Sequence, residues 1–174
     1  MSPAPSGKLR RRDDGGHVRL LPTVSRLSNG RQLRYEQLLR PWCAHLLANA
    51  CGLRMITRLH GPDARLELHE LPPEPARAQL DELLLALRHG MQAPPPIARR
   101  TAYAWLLAAR DKPGSEADAA RLAYEGGTFG PAGEAEQDPH LARAWPSFAA
   151  LQAGGFEDWL RLYRPLLAAV ARED

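Results

Sequence analysis

No apolar run in this sequence approaches the roughly 20 residues that a membrane-spanning helix needs, and the longest are short stretches such as Leu83–Leu87. The opening MSPAPSGKLRRRDDGG carries basic residues but no apolar segment behind them, so no secretory signal is read there. The expectation is a cytoplasmic protein without membrane contact. Cysteine is scarce: Cys43 and Cys51 stand eight apart on one predicted helix, with neither a CxxC pair nor a zinc set, and buried reduced thiols are expected. The histidines at 17, 45, 60, 69, 89 and 140 show no HExxH or HxH spacing, so no metal site is indicated. A G-x-S-x-G elbow and a Walker motif are both lacking, which argues against an esterase-type nucleophile and against ATP hydrolysis. No cofactor and no small-molecule substrate is expected.

What is present suits a folded domain. Hydrophobic residues make up 44% and charged residues 25%, enough to bury a core. The net charge of +3 is uneven. Residues 1–35 hold Lys8, Arg10, Arg11, Arg12, Arg19, Arg26, Arg31 and Arg34 against Asp13 and Asp14, so a basic front precedes a mildly acidic body. Such a front can meet nucleic acid, or it can be a solvated tail.

Residues 1–15 read as a flexible basic arm. A β-like pattern from His17 to Leu27, the turn Ser28-Asn29-Gly30 and a return strand Arg31–Tyr35 predict a first hairpin. A helix over 36–51 follows, with Leu38, Leu39, Trp42, Leu46 and Leu47 at helical spacing. Residues 54–60 and 65–71 flank Gly61-Pro62-Asp63 as a second hairpin. A helix over 74–89 then carries Leu80, Leu83, Leu84 and Leu87 on one stripe, and Gly90 ends it. After the stiff MQAPPPIARR, the predicted elements are all helical: 101–110, 115–124, 138–145 and 156–172, around a Gly-rich loop at 126–137. Ser115 with Asp118 resembles a capping box, Asp138-Pro139 reads as N-cap and N1, and Pro165 should kink or break the last helix. The expected class is α+β, with a core over 16–92 and a helical C-terminal extension over 93–174.

Two motifs invite chemistry and resist it. Pro62-Asp63 with Glu67-Leu68-His69 echoes a metal-dependent nuclease signature. However, Asp63 lies in the turn that launches the strand of Glu67, and His69 lacks a fixed charge. EGGTFGPAGE has no preceding strand and no following Lys-Ser/Thr, so a surface loop is expected rather than a phosphate cradle. Trp42, Trp105, Trp145 and Trp159 each sit among Leu and Ala in predicted helices, which suggests packing rather than base stacking.

The ordered stretches LPTVSRLSNGRQLRYEQLLRPWCAHLLANACG, LDELLLALRHGMQAPPPI, TAYAWL, GEAEQDPHLARAW and FEDWLRLYRPLLA resemble the C-terminal domain of RecC, the gamma subunit of exodeoxyribonuclease V. The resemblance covers about residues 18–170. It implies a restriction-endonuclease-like small mixed sheet flanked by helices, without a nuclease site. In the active nuclease domain of the partner subunit, the corresponding strand ends Leu-Asp-Tyr-Lys. Laid alongside, QLRYE puts Arg34 where the metal-binding Asp would stand and Glu36 where the Lys would stand. His140 replaces an aromatic commonly found after Asp-Pro.

The function so implied is a non-catalytic scaffold that handles DNA strands in a RecBCD-type helicase–nuclease of DNA repair and recombination. Its partners would be RecB-like and RecD-like subunits and DNA, held through sequence-independent phosphate contacts. No enzyme activity is expected of the domain itself. The alternative is a stand-alone DNA-binding or regulatory protein that uses the basic arm. On either reading the DNA-binding residues are expected among Arg10, Arg11, Arg12, Arg19, Arg26, Arg31 and Arg34.

Overall fold

Alternation in Met55–His60 puts Met55, Thr57 and Leu59 on one face of a strand and Ile56, Arg58 and His60 on the other, and the first set is buried. In the computed structural model of the chain this strand, β3, lies at the middle of a five-stranded sheet. The sheet runs β1 (Lys8–Arg11), β2 (His17–Pro22), β3, β4 (Arg65–Leu68) and β5 (Val170–Glu173), in spatial as in chain order. The structure describes residues 8–30, 32–128 and 130–173, the Glu173 side chain excepted. Among them the chain divides into two units, Met1–Leu84 with Pro165–Asp174, and Leu85–Arg164.

In the first unit β2 and β3 are parallel, while β1, β4 and β5 each join antiparallel. A parallel pair cannot be closed by a hairpin. The chain therefore leaves the sheet after Pro22 and returns through α1 (Leu39–Ala50), which packs on β3. Trp42 and Leu46 bury the inner side of α1, and Trp42 stacks on His45 with ring centroids 5.5 Å apart. The helix is also tied by polar groups. Asn49 accepts from the Met55 N–H through Oδ1 (2.8 Å) and donates to the Met55 carbonyl through Nδ2 (3.1 Å), as a neighbouring strand would. His45 donates from Nε2 to the His69 carbonyl (2.9 Å) and accepts the Thr57 hydroxyl at Nδ1 (3.0 Å). Burial pushes the pKa of this ring down to about 4, so it is neutral at pH 7.

The sheet corrects the first expected hairpin. Gly30 (φ +93°) does turn the chain, and Ser28 bridges Leu33, yet no return strand forms at 32–35. The Asp63 carboxylate takes the N–H groups of Leu27 (2.8 Å) and Ser28 (2.9 Å), and Arg34 N–H donates to the Leu27 carbonyl (2.8 Å). The hairpin is thus reduced to a single bridge, with Arg34 N–H on the Leu27 carbonyl and Asn29 N–H on the Gln32 carbonyl, and a 3-10 turn follows at Tyr35–Gln37. The second hairpin forms as expected, β3 against β4. Part of the segment read as a flexible arm is strand: Lys8–Arg11 pairs with β2, while residues 1–7 lie outside the described ones.

The helix α2 (Pro73–Gly90) follows the predicted span, and the division between the units falls within it. Its stripe is only partly covered: Leu80 and Leu83 are half-buried, whereas Leu84 and Leu87 are exposed.

The second unit holds α3 (Arg99–Asp111), α4 (Glu116–Glu125), α5 (Glu134–Gln137), α6 (Pro139–Ala144), α7 (Phe148–Ala153) and α8 (Phe156–Trp159). Its core is aromatic, with Phe148 edge-on to Phe156 at 5.9 Å and Tyr103 edge-on to Tyr163 at 5.2 Å. The α3 N-terminus has no cap of its own. The buried Glu134 supplies one, accepting from the N–H groups of Arg100 (3.1 Å) and Thr101 (2.9 Å) and from the Thr101 hydroxyl (3.0 Å). Asp138 caps α6 as expected, but Ser115 caps nothing; its hydroxyl donates to the Lys112 carbonyl instead. The predicted final helix is broken. After α8 and a 3-10 turn (Leu160–Leu162), Pro165 sits in the first turn of α9 (Arg164–Ala169), and the chain then enters β5. The extension is therefore not helical to its end. Across the described residues the class is α+β, a small mixed sheet flanked by helices, and no helix is long and apolar enough to cross a membrane.

Candidate nucleic-acid interface

The strand register sorts the predicted arginines onto opposite sides of the sheet. Facing residues of neighbouring strands share a side. Leu9, Arg11, Arg19, Thr57 and Leu68 therefore lie on the side covered by α1, while Lys8, Arg10, Val18, Leu20, Ile56, Arg58 and Glu67 lie on the open side. Arg19 is half-buried near His45, where its charge adds to the depression of that ring's pKa. Arg11 is exposed at the edge of the same side. Arg26 is exposed in the loop after β2. Arg31 lies outside the described residues.

Two of the remaining arginines are engaged with carboxylates. Arg12 bridges Asp14 (2.5 Å) and Glu70 (3.2 Å), and Arg54 joins the same two acids at 3.5 and 2.9 Å. This four-charge cluster pins the β1–β2 turn to the end of β4. The Gly16 N–H and the two guanidinium groups hold the Asp14 carboxyl below its ordinary range. Arg34 Nε donates to Glu36 Oε1 at 3.1 Å. Both residues sit around the 3-10 turn and not at a strand end, so the strand position expected for them is not where they stand. The six described arginines do not form one strip.

Neither half of the nuclease-like motif is disposed for metal. Asp63 is bound by backbone amides, of which the Leu27 N–H does most to lower its pKa. Glu67 pairs with Arg58 Nε (2.8 Å) on the neighbouring strand and with His69 Nδ1 (3.4 Å). No group of three or more His, Cys, Asp or Glu residues placed to hold a metal ion occurs among the described residues. The Gly-rich loop has a packing reason: a Cβ on Gly133 would fall 2.4 Å from the Tyr124 carbonyl oxygen. Cys43 and Cys51 are exposed free thiols, not buried ones, because they lie on the side of α1 turned from Trp42 and Leu46.

The open side also carries cations that sequence reasoning passed over. Arg58 and His60 alternate with buried residues of β3, and Arg65 stands opposite His60 on β4. Their signal was the period of two in RMITRLHG and ARLELHEL, which sets these residues apart from Leu59, Leu66 and Leu68. With Lys8 and Arg10 they give this side four fixed positive charges, against Glu67 and a second acidic register position, Glu173, which faces Arg65 on β5.

Residues 6–110 match the family model described as the RecC C-terminal domain, a span that begins just before β1 and ends within α3. No curated protein matches the chain.

Proposed function

The chain belongs to the RecC C-terminal domain family, whose setting is the RecBCD-type DNA-repair complex, and we propose that it serves there as a non-catalytic domain that handles DNA strands and docks on RecB-like and RecD-like subunits. On this reading it is a restriction-endonuclease-like domain whose nuclease site has been replaced. The observation that carries the reading is the Arg34–Glu36 pair. By position in the sequence, although not at a strand end in the fold, the residue matched to the metal-binding acid is a cation, which repels Mg²⁺, and the residue matched to the lysine is an acid, which cannot steady a departing anion. They hold each other at 3.1 Å. The nearby acids offer no substitute, since Asp63 accepts two backbone amides and Glu67 faces Arg58.

Incubation with linear single- and double-stranded DNA in Mg²⁺ and in Mn²⁺ tests the proposal. No cleavage is expected. Cleavage that survives Arg34→Ala and disappears with Glu67→Ala would overturn it. The stand-alone reading, which places affinity in a mobile basic arm, is less well supported. Lys8–Arg11 is paired into the sheet and Arg12 is held by Asp14 and Glu70.

A further inference from the structure

We propose that the open side of the sheet is a binding site for the phosphodiester backbone of DNA, formed by Lys8, Arg10 and Arg65 with Arg58 between them. The inference rests on the strand-handling reading; of the arginines expected from the sequence it keeps Arg10 alone, and it adds Lys8, Arg58 and Arg65. The register places Lys8, Leu20, Arg58 and Glu67 in one line across four strands. With strands about 4.8 Å apart, Lys8 and Arg58 stand roughly 10 Å from each other. Arg10 lies one repeat along β1 on the same side, and Arg65 lies at the far end of β4, where Glu173 of β5 is its register partner. The cations thus flank a central strip of Val18, Leu20 and Ile56.

The strip decides the class of ligand. All three aliphatic side chains are half-buried, whereas Lys8, Arg10 and Arg65 are exposed. The side therefore presents charged heads to solvent and little apolar area. An amphipathic helix of a partner protein needs the reverse, an apolar surface to cover. A polyanion needs spaced cations at a surface, and releases counterions when it binds. Glu67 holds Arg58 by its Nε at 2.8 Å, which restrains that guanidinium and offsets part of its charge. The open face of strands β1–β4 carries no Asn, Gln, Phe, Tyr or Trp side chain, and the role proposed for its spaced cations is contact with phosphates, which positions a strand without reading its bases.

The test uses the full chain and fluorescence anisotropy with labelled dT20 and with a 20-base-pair duplex, at several salt concentrations. Each lost phosphate contact lowers the slope of log K against log salt by about 0.9 on duplex and about 0.7 on single strands. The triple variant Lys8→Gln, Arg10→Gln, Arg65→Gln keeps the aliphatic stems. It should lose about 2.7 of that slope on duplex, or about 2 on dT20, and at least tenfold in affinity at low salt. Arg10→Lys with Arg65→Lys should restore wild-type binding. A charge-matched control in the other unit, Arg121→Gln, Arg143→Gln, Arg161→Gln, should keep the wild-type slope. The larger loss on dT20 or on duplex tells which form of DNA the site takes. The inference is overturned if the first variant binds as the wild type does, or if the loss appears instead in Arg11→Gln, Arg26→Gln, Arg34→Gln. Tighter displacement by a polyglutamate peptide than by either DNA would also overturn it, in favour of an acidic protein. If DNA binds but the patch variant is silent, strand handling survives and the site is elsewhere. If the wild-type chain binds no DNA even at low salt, both fall together.

Discussion

Asp63 reaches 36 residues back along the chain to accept the N–H of Leu27 at 2.8 Å, with its second oxygen on Ser28. This contact anchors the loop that follows β2 to the turn between β3 and β4. Asp63→Asn should lower the melting temperature at neutral pH, and Asp63→Ala should lower it further. The folded-state pKa of Asp63 is depressed from 3.8. Its contribution is therefore complete above that value and disappears as pH falls through the lowered one. Melting curves of wild type and Asp63→Asn should converge in acid. Parallel curves down to the lowest accessible pH would refute the role.

His45 makes the opposite demand on pH. Its ring is fully buried and titrates near 4, against 6.5 in the unfolded chain. The folded state requires the neutral form. Stability should be full above pH 6.5 and should fall between 6.5 and 4 by up to about 3 kcal/mol. His45→Gln, less stable at pH 7.5, should be flat across that interval. Denaturant titrations at half-unit pH steps measure both curves.

Glu134 anchors the second unit through the α3 N-terminus. Glu134→Ala leaves two amides and a hydroxyl without their acceptor and should cost about 2 kcal/mol. Glu134→Gln, which keeps an acceptor oxygen, should recover part of the loss. Urea unfolding followed by tryptophan fluorescence reads this, since Trp105, Trp145 and Trp159 all lie in that unit.

Cys43 and Cys51 are both exposed, so two thiols should react with a thiol reagent under native conditions. Partial burial raises the Cys43 pKa above its ordinary value, and its labelling should accelerate steeply with pH. A single reactive thiol, or none before denaturation, would show that α1 turns its outer side inward.

Local pattern was sufficient for much of this molecule. The β3–β4 hairpin needed only alternation about Gly61-Pro62-Asp63, α1 and α2 only their helical spacing, and α6 only Asp138-Pro139. The α+β class followed from that order of elements. Arg34 and Glu36 were visible two apart in QLRYE, although not their closure into one pair.

Tertiary structure decided what local pattern could not weigh. Ser28-Asn29-Gly30 is a sound turn signal, but only one bridge forms after it, and an aspartate 36 residues from Leu27 holds the Leu27 and Ser28 amides in its place. Val170–Glu173 reads as the tail of a helix until Pro165 breaks the run and β4 offers an edge to pair with. The basic front was strongly positive in sequence, yet a pleated strand sends successive side chains to opposite sides, so Arg10 and Arg11 part company at a single peptide bond. Composition supplied the charge, and only strand register and distant carboxylates determined which cations share a surface.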